Sequence, residues 1–89
     1  MFQWDTRRAL RNADKHGVSF AEAATTFDDE RALDGPDVSH SFLESRRLRL
    51  GRSARGRILV VAYTMRGVGV RIISARLAGR KERVRYAQA

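Results

Sequence analysis

Cysteine is absent from the 89 residues. That excludes a disulfide scaffold, a thiolate-held zinc and a cysteine nucleophile. Histidine occurs twice, at His16 and His40, and proline once, at Pro36. Neither histidine belongs to a spaced set of His, Asp and Glu of the kind that holds a metal, so neither a metalloenzyme nor any other cofactor is expected. No apolar run approaches the roughly 18 residues that a membrane span needs. The opening MFQWDTRR lacks the apolar stretch of a secretory signal and reads as none. Acidic side chains all but vanish from the second half. Glu82 is the sole acid after Ser45, against thirteen basic residues, whereas residues 1–45 hold nine acidic and five basic ones.

What is present is enough hydrophobic sequence, 43%, for one core. The length fits one domain over residues 1–89. The net charge of +8 comes entirely from the C-terminal half, and sixteen of the eighteen basic residues are Arg. A chain polarised in this way calls for a polyanionic or acidic partner. Arginine adds planar, bidentate contacts to phosphate.

Local patterns divide the chain into two parts. Phe2-Gln3-Trp4 reads as an edge strand. Asp5 is a good N-cap for a helix over Thr6–His16, and Gly17 suits the left-handed residue past its end. Ser19-Phe20-Ala21-Glu22 has the form of a capping box, with Glu22 reaching back to the N-cap amide. Phe20, Ala23, Ala24 and Phe27 then mark one helical face. Asp34-Gly35-Pro36-Asp37 reads as a turn. Beyond it the hydrophobic period falls from about 3.6 to about 2. Arg47-Leu48-Arg49-Leu50 alternates, with both leucines expected to face the core and the arginines to face out. Gly51 to Gly56 reads as a turn. Ile58 to Tyr63 is apolar on both faces, as in a central strand. Met65 to Gly69 reads as a second turn and Val70 to Ala75 as a third strand. Leu77 to Ala89 is polar and basic and reads either as a short C-terminal helix through Leu77, Val84 and Tyr86 or as a loosely docked tail. The expected class is α+β: an antiparallel sheet of three to five strands, two N-terminal helices on one face and a short terminal helix.

Several segments together resemble one family. Phe2-x-Trp4-Asp5, Asn12 and Lys15-His16-Gly17-Val18-Ser19-Phe20-x-Glu22-Ala23-Ala24 are similar to the N-terminal signature of the BrnT toxins. So are Gly51-Arg52-Ser53, Gly56-Arg57, Val60-Val61-x-Tyr63-Thr64-x-Arg66-Gly67 and Arg71-Ile72-Ile73-Ser74-Ala75-Arg76, with Glu82 and Tyr86 closing the match. The sequence departs from the family pattern at Arg8, Met65, Leu77 and Gly79. The resemblance implies a RelE-like fold and a cytoplasmic RNA-cleaving toxin of a type II toxin–antitoxin pair. It also implies a BrnA-like antitoxin partner that carries the complex to operator DNA. A small basic nucleic-acid-binding module without catalysis is the alternative reading.

Cutting RNA without a metal requires in-line attack by the 2′-OH, neutralisation of charge on the phosphoryl oxygens and two proton transfers. Arg71 and Arg76, aided by Arg66, are the candidates for charge. On a regular strand, however, Arg71 and Arg76 fall on opposite faces. His16, Glu82 and Tyr86 are the candidates for proton transfer. His16 also fits a helix C-terminus, and Tyr86 also fits an aromatic anchor. Glu82 among so many arginines is expected to stay ionised. Lys15, Arg80, Lys81 and Arg83 are the candidates for RNA binding. Glu44 and Glu82 are possible ion-pair partners of the strand arginines, His40 reads as solvated, and Trp4 and Tyr63 read as core.

Overall fold

The structure, a computed structural model, describes residues 1–40 and 45–89. Strand β1 is Phe2–Gln3, and helix α1 runs from Thr6 to His16. Helix α2, Phe20–Thr25, tightens into a 3-10 turn over Thr26–Asp28. Strand β2 is Leu33–Pro36, followed by a 3-10 turn at Val38–His40. Strands β3 (Arg47–Arg52), β4 (Ile58–Arg66) and β5 (Gly69–Leu77) form a meander, and helix α3, Arg80–Ala87, ends the chain. Five strands make one sheet in the order β1-β5-β4-β3-β2, with β4 in the middle. No helix among the described residues is long and apolar enough to cross a membrane.

Both N-terminal helices are set by local chemistry. The Asp5 carboxylate accepts from the Arg8 amide at 2.9 Å, and Gly17 takes φ +67° and donates back to Ala13. Ser19 Oγ accepts from the Glu22 amide at 3.0 Å. The other half of the expected capping box does not form. The Glu22 carboxylate turns away and accepts from Arg57 and from Ser53 Oγ, tying α2 to the β3–β4 turn.

The sheet is mixed rather than purely antiparallel, because β1 pairs with β5 in parallel, Phe2 opposite Val70 and Gln3 opposite Arg71. Where β1 ends, Asn12 of α1 takes over the β5 edge. Its side chain accepts from the Ala75 amide at 3.0 Å and donates to the Ala75 carbonyl at 2.8 Å and to the Val18 carbonyl at 2.9 Å. This buried amide replaces a strand partner, so no backbone group is stranded there.

The main core joins Val18, Phe20 and Ala23 to Leu59, Val61, Ile72 and Ala75. We call this the covered face. Residues of opposite parity lie on the other face, where Leu50, Val60, Ala78 and Tyr86 form a smaller core under α3. Trp4 stacks edge-on against Phe20 but stays at the rim, over a third exposed.

Four expectations about the strands need correction. Asp34-Gly35-Pro36 is strand β2, not a turn. The Asp34 carboxylate is held by Tyr63 Oη at 2.6 Å and by Arg47 and Arg49, and proline is tolerated because β2 is an edge. On β3 the arginines, not the leucines, share the covered face. Arg49 lies over the Phe27 ring at 4.8 Å and donates to the Thr26 and Asp29 carbonyls. Leu50 belongs to the smaller core, and Leu48 stays exposed. Gly51 is strand rather than turn. A Cβ there would meet the Ala32 and Thr26 Cβ atoms at 3.1 and 3.3 Å, so glycine lets β3 approach the turn after α2. The second expected turn shrinks to Gly67 and Val68, since β4 and β5 extend to Arg66 and Gly69.

Candidate functional site

Among the described residues, the half of the second face that α3 leaves uncovered is open. Its geometry depends on one irregularity in β5. Pairing with β4 shifts between Ala62 and Tyr63, so that Tyr63 faces Ile72 but Ala62 faces Ser74. Ile73 is the extra residue of a β-bulge. Arg71 therefore sits opposite Thr64, Ser74 opposite Ala62 and Arg76 opposite Val60. Cross-strand partners share a face, so the bulge brings Arg71 onto the same face as Arg76, which a regular strand forbids.

Two cavities open on this face. The larger, about 390 Å³, is floored by Leu48, Val60, Ala62 and Ser74 and rimmed by His16, Asp37, Ser39, Arg46 and Arg76. His16 reaches it because α1 runs along the β5 edge that Asn12 holds. A second hollow of about 340 Å³ shares Leu48 and Val60 and continues toward β2, with Glu82 and Arg85 of α3 on its wall.

Arg76 and Glu82 stand where these hollows meet. The pair is bidentate, Nη1 to Oε1 and Nη2 to Oε2, both at 2.8 Å. Arg76 Nη1 also donates to the Leu77 carbonyl. The Arg76 guanidinium and the Gly79 amide hold the Glu82 carboxyl down at about 2, against 4.5 ordinarily. Glu82 thus also caps α3, whose N-cap residue Gly79 has no side chain to do so. It is an anion that orients a guanidinium, and it has no proton to give near neutral pH.

The other expected site residues are placed apart from this hollow. Arg71 lines a separate cleft with Arg8, Arg11 and Arg46. Arg66, at the end of β4, lines none of these cavities. Tyr86 is buried in the smaller core and its hydroxyl donates to Asp29 at 2.7 Å, the anchoring half of its two readings. Lys15, Arg80, Lys81 and Arg83 are exposed, and Arg83 donates to the Ala78 carbonyl. The side chain of His40, and Glu44 altogether, lie outside the described residues. Sequence reasoning missed Asp37, Ser39, Arg46 and Ser74 in the hollow. Ser74 had a signal, since it interrupts an apolar strand. Arg46 was hidden at the head of an arginine run. Among the described residues, no three of His, Cys, Asp and Glu gather into a group that could hold a metal ion.

The fold is similar to the crystal structure of the Brucella abortus ribonuclease toxin, BrnT, with a TM-score of 0.69, 24% identity, and coverage of 90% of this chain and 99% of that one. The curated proteins contain no match. Residues 4–82 match the family model described as the ribonuclease toxin, BrnT, of type II toxin–antitoxin systems. With nearly the whole chain inside that match, the protein belongs to the BrnT family of ribonuclease toxins.

Proposed function

We propose that this chain is a cytoplasmic endoribonuclease toxin that cuts RNA by metal-independent attack of a ribose 2′-OH, thereby inhibits translation, and is neutralised by a BrnA-like antitoxin. The observation that carries this reading is the shared lining of one hollow by His16 and by an Arg76 guanidinium fixed in place by Glu82. Of the five N–H donors of Arg76, three are used by Glu82 and Leu77, which leaves Nε and one Nη2 proton for a phosphoryl group.

In the proposed step the 2′-oxygen forms a bond to phosphorus and the bond from phosphorus to the 5′-oxygen breaks. The products are a 2′,3′-cyclic phosphate and a free 5′-hydroxyl. Arg76 offsets the charge that builds on the phosphoryl oxygens. The 2′-hydroxyl gives up its proton to the His16 imidazole as the bond forms, and the imidazolium returns a proton to the departing 5′-oxygen, so the step balances. Glu82 is a positioning residue, since its carboxylate faces the guanidinium. The cation clamp therefore centres on Arg76, with Arg46 on the same rim. An antitoxin segment that lies across the open face covers this rim, and its acidic side chains match the basic surface. Operator DNA is reached through the antitoxin.

The test is a cleavage assay on total RNA with EDTA present, with the new ends identified by mass spectrometry. Cleavage with cyclic-phosphate ends is expected. Loss of cleavage in EDTA, restored by a divalent cation, overturns the metal-independent step. Saturating antitoxin should abolish RNA binding, and unchanged binding would rule out neutralisation by occlusion.

A further inference from the structure

The cleft beside the hollow has a composition of its own. Arg8 and Arg11 project from α1, Arg46 precedes β3 and Arg71 stands on β5, around about 160 Å³. Ile72 and Ile73, the bulge, close its floor. Among the described residues, Asp5 is the sole acid on the lining, and it is already committed. It caps α1 through the Arg8 amide, which holds its carboxyl below the usual range, helped by the charges of Arg11 and Arg71. Even with Arg46 set aside, the three guanidinium groups of Arg8, Arg11 and Arg71 outnumber that one carboxylate and leave an excess of positive charge.

Elsewhere in the fold, arginines meet acceptors: Arg47 and Arg49 at Asp34, Arg57 at Glu22, Arg76 at Glu82. The side chains of Arg8, Arg11 and Arg71 show no hydrogen bond or ion pair among the described residues. Holding several like charges around one pocket costs free energy, and a bound anion removes that cost. Arg46 lines both this cleft and the hollow of Arg76 and His16, so the two are neighbours on one face. An anion that fills both at once must carry regularly spaced charges along one chain.

We propose that the cleft of Arg8, Arg11, Arg46 and Arg71 binds a second backbone phosphate of single-stranded RNA, next to the phosphate that is cut. The proposal rests on the reading of the hollow as the RNA-cleaving site. It gives Arg71 a task in holding and registering the strand rather than in the chemical step. The bulge is what makes this possible, because it turns Arg71 toward the face that carries Arg76.

The experiment measures binding of a fluorescent, non-cleavable all-deoxy hexanucleotide to the antitoxin-free protein. It compares wild type with Arg8→Gln/Arg11→Gln, whose side chains are exposed, and with Arg71→Gln. Arg31→Gln, outside the cleft, is the control. Each lost contact should weaken binding about fivefold at 0.1 M salt and flatten the salt slope by about 0.7, the share of one single-strand phosphate. KM for RNA should rise in parallel while kcat changes by much less. Inorganic phosphate should compete far less well than the oligonucleotide.

If wild type cleaves RNA and the double variant keeps its affinity, salt slope and KM while folded by circular dichroism, the cleft proposal is wrong and the ribonuclease reading stands. If wild type does not cleave but the variants lose affinity as expected, the cleft stands and the ribonuclease reading fails. If inorganic phosphate competes equally well, the cleft is a free-anion site and the RNA assignment is wrong.

Discussion

Arg49 and Arg76 lie on opposite faces of the same sheet, one on β3 and the other on β5. Arg49 is turned into the covered face, with only 16% of its side chain exposed. Its guanidinium caps the Phe27 ring and donates from each of its three nitrogens, to Thr26, Asp29 and Asp34. Arg76 is 46% exposed, is fixed by one carboxylate, and keeps donors for the hollow. Residue type does not separate the two. What separates them is the supply of acceptors: residues 1–45 bring nine acids, and those at Glu22, Asp29 and Asp34 are spent on the core side and the sheet end, while the open face has few. The charge imbalance of the sequence thus becomes an imbalance between faces.

The sharpest way to break this comparison is to truncate both arginines. Arg76→Ala should slow cleavage at saturating RNA by about 10²–10³-fold, as for a lost transition-state donor. Arg49→Ala should cost about 2 kcal/mol of stability and leave single-turnover cleavage near wild type at temperatures where it is folded. An Arg76→Ala enzyme that cleaves normally once saturated sinks the assignment. So does an Arg49→Ala enzyme that is stable but inactive.

The next effect in size belongs to the covered side. Glu22 is 5% exposed in its side chain and receives Arg57 and the buried Ser53 hydroxyl. The Arg57 guanidinium and Ser53 hold its carboxyl below the ordinary range despite burial. Glu22→Ala should destabilise by about 2–3 kcal/mol, less than for a fully buried pair because water reaches Arg57. Thermal melts decide it, and a change under about 0.5 kcal/mol would mean that this network is only decorative.

These contrasts were unevenly legible in the sequence. Helix α1 could be read residue by residue, from Asp5 to Gly17, because its caps are local chemistry. Strand β4 announced itself as an apolar run. Strand β2 could not be read, since Asp34-Gly35-Pro36 is a turn by every local rule. It is strand because Tyr63, Arg47 and Arg49 arrive from elsewhere to hold Asp34. The same remote carboxylate reversed the expected sidedness of β3. Arg76, Glu82 and His16 were nominated from chemistry and resemblance. The relation of Arg71 to Arg76 was hidden in the bulge, whose one trace in the sequence is the adjacent pair Ile72-Ile73.

Acid should act on the open face through Glu82. Its carboxyl, ordinarily at 4.5, is held at about 2 by Arg76, so the folded pKa is depressed. The contribution is therefore complete above about pH 4.5 and is lost as pH falls from there toward 2. The pair is partly exposed, at 46% and 30%, so solvent screening reduces it to roughly 1 kcal/mol. Glu82→Gln should be less stable than wild type by that amount at pH 7, and the gap should shrink below about pH 4.5 and be largely gone by about pH 2, in melts across this range. A gap that stays constant with pH would show that the loss comes from packing or the α3 cap rather than from the ion pair.

The smallest effect tests the covered side from its own rim. Arg55 lies 3.6 Å from the same Glu22 oxygen that Arg57 contacts, but 69% of its side chain is in water. Its attraction to Glu22 is weak at that distance, is screened by salt, and is offset by the entropy of ordering a long side chain. Arg57 differs in having two donors on Glu22 and a third contact to the Gly17 carbonyl at 3.0 Å. Arg55→Ala should therefore change stability by no more than about 0.5 kcal/mol, whereas Arg57→Ala should lower Tm clearly. Repeating the melts at 1 M salt should erase the Arg55 difference and leave most of the Arg57 difference. If the two substitutions cost the same, proximity to a carboxylate matters more than the number of acceptors met, and the rule drawn from Arg49 and Arg76 does not hold even within one face.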